Sequence, residues 1–192
     1  MNPTITLLDR PRGVLRRYAW RYSRKQFGKV VDPVRANGHH TGVLMATGAM
    51  EMLAARRWDE LDPDLRWLAI QMTSTEIGCS WCTDYGYYLG MHSSIDPRKV
   101  TEVARWRTSD VYDDRERVVL EYAETATRTP VAMTDELADR LRAHLSTEEI
   151  VELVAWVALE NYRSRTNAGL RLHSEGFAAS CDVPPPHLRV TA

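Results

Sequence analysis

The sequence predicts an all-α chain, a single-domain helical bundle, and three observations carry that expectation. Apolar residues recur at helical spacing along most of the chain. The segments so marked open on residues that cap helices, among them Asp62, Asp96, Thr134 and Ser146. No segment alternates apolar and polar residues over the length of a strand between turn signals. With 192 residues, 44% hydrophobic and 27% charged, the chain has material for one ordinary core.

Residues 1–36 read as a basic N-terminal helical segment, with Tyr18, Trp20, Tyr22 and Phe27 available to anchor it. A helical domain over 37–180 follows. Within it, residues 41–57 space their apolar side chains for a buried helix. Residues 63–77 repeat the pattern with Leu65, Leu68, Ile70 and Met72; Asp62 caps free amides, and Pro63 loses nothing in a first turn. Gly78 interrupts, and Cys79 begins an aromatic-rich segment. Asp96-Pro97 opens a short helix, Asp113 or Asp114 caps the next, which ends before Pro130, and Thr134 opens another. Ser146 and Glu149 have capping-box spacing before an apolar run that reaches Leu172. Residues 181–192 form a Pro-rich, irregular tail.

A net charge of -1 provides no global field to recruit nucleic acid, so no nucleic-acid partner is expected. The average hides an asymmetry: residues 1–36 hold nine Arg or Lys against Asp9 and Asp32, a net +7, which leaves -8 on the rest. Such a start suits a solvated helix docking on an acidic body, or a targeting or membrane-surface helix. No run approaches the ~18 apolar residues of a membrane span, and no long apolar run follows the N-terminal charges as in a signal peptide. No membrane partner and a cytoplasmic location are therefore expected.

Three cysteines, an odd and small number, imply no disulfide framework. In a reducing compartment the close pair Cys79-Ser80-Trp81-Cys82 reads as catalytic or metal-binding rather than as a staple. On a helix this spacing puts both sulfurs on one face, about 60° apart around the axis. Gly78 places them at a helix start, where free amides and the helix dipole favour thiolate. A thiolate attacks the electrophilic oxygen of a hydroperoxide and becomes a sulfenic acid, and the neighbouring thiol closes a disulfide. Closure needs Cα atoms within ~7 Å, which this spacing supplies. Two other readings stay open. His39, His40 or His92 can complete a zinc site, although no second CxxC exists to make the usual four ligands. Both cysteines can also be buried and inert. Neither a metal nor a cofactor is expected.

Four residues near the pair can move a proton: Glu76, Asp84, Tyr85 and His92. As anions, Glu76 and Asp84 oppose thiolate formation nearby. Tyr85 lies beside the thiol face, one turn after Cys82. The stretch Glu160-Asn161-Tyr162-Arg163-Ser164-Arg165, with Asn167 beyond it, is unusually polar for a core-facing helix; it lines a cavity, meets a subunit or is a solvated helix end. Cys181, beside the tail, reads as a bystander.

The string Gly78-Cys79-Ser80-Trp81-Cys82-Thr83-Asp84-Tyr85-Gly86-Tyr87 is far more specific than CxxC alone. With the helices around it, over roughly residues 35–180, it resembles the carboxymuconolactone decarboxylase-like family that includes alkylhydroperoxidase D. The resemblance implies an all-α fold of that type, obligate homo-oligomers and antioxidant peroxidase activity. It further implies that Cys82 attacks the peroxide and Cys79 resolves the intermediate. The peroxidase members relay protons through a glutamate and a histidine whose positions here hold Trp67 and Gly86, so that relay is missing.

The chain is accordingly expected to be a thiol-dependent hydroperoxide reductase, a peroxiredoxin-like antioxidant oxidoreductase. Its catalytic residues would be Cys82 and Cys79, with Glu76, Asp84, Tyr85 or His92 assisting. Its partners would be a hydroperoxide, a dithiol reductant protein or small thiol, and further copies of itself in a dimer or higher homo-oligomer. An oligomeric redox sensor or binding protein without catalysis is the alternative, and lactone decarboxylase-type chemistry a third reading.

Overall fold

The computed structural model describes residues 2–181, and among these the chain is helical with no strand. The tail expected over 181–192 lies outside the described residues from Asp182 onward. The chain forms two compact units. One is drawn from Met1–Trp58 with Gly169–Leu172, the other from Asp59–Ala168 with His173–Ala192. The division falls after Trp58, whereas the change in charge falls at residue 36. Charge marks where a segment meets solvent; shared packing marks which elements fold together.

The first unit contains α1 (Val14–Phe27), α2 (Asp32–Asn37) and α3 (Thr41–Arg57). Helix α1 ends at Gly28, whose φ of 74° suits a residue without Cβ and whose amide returns to the Arg24 carbonyl. The buried Ser23 hydroxyl donates to the Lys29 carbonyl at 3.0 Å and accepts from the Val31 amide at 3.1 Å, which fixes the turn into α2. Trp20 is 2% exposed. Its indole reaches Gly38 so closely that a Cβ there would stand 2.8 Å from it. Two of the N-terminal cations hold the chain together: Arg35 joins the Leu8 carbonyl, Asp9 and Asp32, and Arg16 donates to the Gly38 carbonyl. Tyr18 and Tyr22, expected as anchors, are exposed. Helix α3 forms over the expected residues but is not buried as expected. Val43, Met45, Met50, Met52 and Leu53 face outward, and the buried residues of this helix are Leu44 and Ala54.

The second unit contains α4 (Pro63–Ile77), α5 (Ser80–Met91), α6 (Pro97–Glu102), α7 (Asp114–Thr127), α8 (Asp135–His144) and α9 (Thr147–Gly169). Helix α4 is its centre and packs against both α7 and α5. Its buried Leu65, Leu68, Ala69 and Met72 share the core with Val118, Val119, Leu120 and Ala123 of α7. The helix starts are those the local sequence marks. Asp62, Asp96 and Thr134 accept from the amides of Asp64, Arg98 and Leu137, and Asp113 pairs with Glu116 in a capping box. Ser146 and Glu149 exchange hydrogen bonds in the same way. Helix α9 stops at Gly169, short of Leu172, and Arg171 beyond it takes a φ of 55°.

The approach of α4 to α5 depends on Gly90. A Cβ there would stand 2.5 Å from the Trp67 ring, which is itself held by its Nε1 donating to the Gly86 carbonyl at 2.9 Å. Gly48 in α3, by contrast, has nothing within 4 Å of such a Cβ. Gly90→Ala is therefore expected to destabilise by about 1–3 kcal/mol through overpacking. Gly48→Ala is expected to stabilise by about 0.5–1 kcal/mol through helix propensity. Urea unfolding of the two variants checks the opposite signs.

Candidate active site

The site begins where α4 ends. Gly78 adopts φ 74° and ψ 28°, and its amide returns to the carbonyls of Ser74 and Thr75. The Cys79 amide also returns to Ser74, at 3.1 Å. The chain thereby reverses within two residues, and Cys79 becomes the N-cap of α5. Its Sγ accepts from the Cys82 amide at 3.3 Å, the place usually taken by a Ser or Asp oxygen. The amide and hydroxyl of Thr83 both donate to the Cys79 carbonyl at 2.9 Å, which locks this first turn. Cys79 thus stands at the positive end of the helix dipole, and Cys82 one turn inside it.

Helix α9 supplies the facing wall. Glu160, Ser164 and Asn167 repeat at helical spacing, all are buried, and they point toward the thiols. The Asn167 amide donates to Cys82 Sγ at 3.3 Å. Ser164 Oγ donates to Glu160 Oε1 at 2.6 Å, and Arg163 reaches Glu160 Oε2 at 3.3 Å. Glu160 and Ser164 lie on the same face of α9 as Asn167, which bonds to Cys82.

These contacts separate the two thiols. The hydrogen bond from the Cys82 thiol, with that from the Cys82 amide, holds Cys79 below the usual cysteine range against the opposing effect of burial. The same hydrogen bond, burial and the negative charge of Glu160 push Cys82 up. Burial raises the Glu160 carboxyl, against the attraction of Arg163 and the hydrogen bond of Ser164. Of the reduced pair, Cys79 ionises the more readily and Cys82 holds its proton the more tightly, with the buried Glu160 carboxyl on the facing helix.

The structure puts Cys79 and Cys82 together and sends the four expected helpers elsewhere. Glu76 pairs with Arg128 at 2.9 Å. Asp84 accepts from three backbone amides, those of Glu175, Phe177 and Ala178, at 2.8–3.1 Å, and so fastens residues 175–178 to α5. Tyr85 packs its ring against Trp81 and Phe177. His92 caps the far end of α5, with Nδ1 at 2.8 Å from the Tyr88 carbonyl and its ring on that of Tyr88. Asn161 and Arg165 face Thr127 rather than the thiols. Cys181 packs against a buried cluster of Tyr87, Ile95, Val100 and Ala178. Among the described residues no group of three or more His, Cys, Asp or Glu is placed to hold a metal ion. No helix among them is long and apolar enough to cross a membrane.

The two positions of the missing relay are filled in a specific way. Trp67 donates to the Gly86 carbonyl, and a Cβ at Gly86 would stand 2.1 Å from Gln71 Oε1. Gln71 is 3% exposed, and its Nε2 donates to the Thr83 carbonyl. Side chains of α4 occupy the space a residue at position 86 would need. Sequence reasoning missed the polar face of α9 that meets Cys82. The i, i+4 and i+7 spacing of Glu160, Ser164 and Asn167, in a helix otherwise apolar on that side, was the available signal.

The model of the carboxymuconolactone decarboxylase family matches residues 44–125. The protein YnjA of Escherichia coli strain K12 is 30% identical over 171 residues, which cover 89% of this chain and 92% of YnjA. The chain belongs to the carboxymuconolactone decarboxylase family. Solved structures agree on the fold of this family member. The debrominase Bmp8 superposes with a TM-score of 0.80 at 22% identity, covering 92% of this chain and 94% of Bmp8. An uncharacterized peroxidase-related protein from Ralstonia eutropha JMP134, with an alkylhydroperoxidase AhpD core, superposes with a TM-score of 0.76 at 17% identity, covering 94% of this chain and 100% of that one. The neighbours therefore include proteins named for different chemistries on one helical scaffold.

The split between the thiols has a spectroscopic consequence. Ultraviolet titration of the reduced protein is expected to show one thiolate persisting below the ordinary cysteine range and a second forming only well above it, as two steps of a coupled pair. Cys79→Ser is expected to remove the lower step.

Proposed function

We propose that this family member is a dithiol-dependent reductase of hydroperoxides. The observation that carries the reading is the helix-capping pair itself, a Cys79 sulfur held by the Cys82 amide, with Cys82 one turn away facing Asn167 of α9. Cys82 is the attacking sulfur. It is the more exposed of the two, 8% against 2%, and Asn167 donates to it, which stabilises the thiolate as it forms. Its sulfur bonds to the terminal peroxide oxygen, the O–O bond breaks, and the alcohol departs with a proton. The Cys79 thiol then attacks the sulfenic sulfur, the S–S bond forms, and the hydroxide leaves with the Cys79 proton as water. Two thiols are oxidised to a disulfide and one peroxide is reduced to an alcohol and water. A dithiol protein or small thiol restores the pair by exchange.

Homo-oligomerisation belongs to the same reading. Met45, Met50, Met52 and Leu53 of α3 form an exposed apolar surface that a second copy would cover. Sedimentation is expected to show a dimer or larger assembly.

The deciding assay is a single-turnover thiol count, with reduced protein mixed with one equivalent of an organic hydroperoxide. Loss of two thiols per chain, with a disulfide on the Cys79–Cys82 peptide, is expected. Cys82→Ser should abolish the reaction, and Cys79→Ser should leave a sulfenic acid trappable at Cys82. A wild-type chain that keeps both thiols would remove the peroxidase reading and leave the pair as a sensor. A brominated pyrrole belongs in the same assay as a second electrophile, because a debrominase bound to 2,3,4-tribromopyrrole superposes with a TM-score of 0.81.

A further inference from the structure

The polar stretch in the middle of α9 is only partly explained by the thiol site. Arg165 lies about 200° around the helix from Asn167, on another face. There it borders a cavity of about 470 Å³. The other walls are Glu76 and Ile77 at the end of α4, and Thr127, Arg128 and Thr129 where α7 ends. Small-molecule sites run from roughly 300 to 1,000 Å³, so the space suits an organic molecule. Its charges are unevenly matched. Arg128 pairs with Glu76 at 2.9 Å and with Glu124, and Glu124 also holds Arg107. Arg165 is held by neutral oxygens instead. Its Nε donates to Asn161 Oδ1 at 3.2 Å and its Nη2 to the Thr127 carbonyl at 2.8 Å. Asn161 is fixed in turn, because its Nδ2 donates to Thr127 Oγ1 at 3.1 Å and to the Val157 carbonyl at 3.0 Å.

We propose that the cavity bounded by the ends of α4 and α7 and the middle of α9 binds a small organic monoanion, a carboxylate held by Arg165. Among the described residues no carboxylate pairs with this guanidinium, and its Nη1 has no acceptor. Three guanidiniums meet two carboxylates around the cavity, so one positive charge is left over, and Arg165 carries it. A single carboxylate balances that charge. Two hydroxyls add donors: Thr127 is 3% exposed, and neither its proton nor that of Thr129 has an acceptor among the described residues. Ile77 offers an apolar wall to the carbon skeleton. A guanidinium fixed by two of its nitrogens keeps its third for a charge-assisted hydrogen bond at little cost in side-chain entropy.

A purely structural role for Arg165 predicts something else. Its bond to the Thr127 carbonyl satisfies the last turn of α7, and that bond alone would make Arg165 a helix cap. A cap stabilises the fold and has no preference among dissolved anions. A binding guanidinium discriminates a carboxylate from a neutral group of the same shape. The proposal does not rest on the hydroperoxide reading, because binding at this cavity uses neither thiol.

The test titrates the full reduced chain with benzoate, with its neutral isostere benzamide and with inorganic phosphate, at fixed ionic strength. Saturation-transfer NMR reads the bound fraction. The same titrations are run on R165A, on R165Q in case R165A does not fold, and on R142A, which removes an exposed cation of α8. Circular dichroism confirms that the variants are folded. Saturable benzoate binding is expected, with benzamide about tenfold weaker. R165A and R165Q should lose about tenfold in benzoate affinity, and R142A should stay within twofold of wild type. That pattern supports the site whether or not phosphate competes. The proposal is overturned if benzoate does not saturate, if benzamide or R165Q matches wild-type benzoate binding, or if phosphate alone binds. It also falls if R165A changes the sedimentation of the assembly, since a neighbouring copy then fills the cavity.

Discussion

The site depends on one hydrogen bond, from the Cys82 amide to the sulfur of Cys79. It exists because Gly78 lets the chain leave α4 and enter α5 within two residues, with its own amide and that of Cys79 folded back on Ser74. A residue with a Cβ would be strained at that φ. The bond gives the end of α5 a sulfur cap, lowers the proton affinity of that sulfur, and sets Cys82 on the same side of the helix. Which sulfur ionises the more readily follows from which one sits at the cap.

Around this fixed pair the protein places charge economically. Asp84 and Glu160 are both buried, yet their partners differ. Three amides saturate Asp84 and make it a clasp for residues 175–178. Glu160 has one hydroxyl and one guanidinium. Two carboxylates of similar burial are told apart by donors, not by location.

How much of this was legible in sequence follows the distance between interacting residues. The caps at Asp62, Asp96, Thr134 and Ser146 act within their own first turns, so local pattern sufficed. The Gly78-Cys79 helix start was legible for the same reason. The facing wall of α9 was not, because Asn167 meets Cys82 only through tertiary packing across 85 positions. Glu76, Asp84, Tyr85 and His92 drew notice as near neighbours of the thiols. Their partners, such as Arg128 and the amides of residues 175–178, come from far along the chain and have no local signature. The exposure of α3 was equally hidden, since apolar spacing predicts a helix with an apolar face but not what covers it.

The interlock of Trp67, Gln71, Gly86 and Gly90 bears on the history open to this chain. A histidine at position 86 meets Gln71, and the Trp67 ring rests where any side chain at position 90 would begin. A glutamate at position 67 would empty the space beside Gly90 and release the bond that α4 makes to the Gly86 carbonyl. Restoring the relay of the peroxidase branch takes both substitutions, and each disturbs a contact between α4 and α5. Packing between α4 and α5, and not only the chemistry of the thiols, sets which side chains positions 67 and 86 accept.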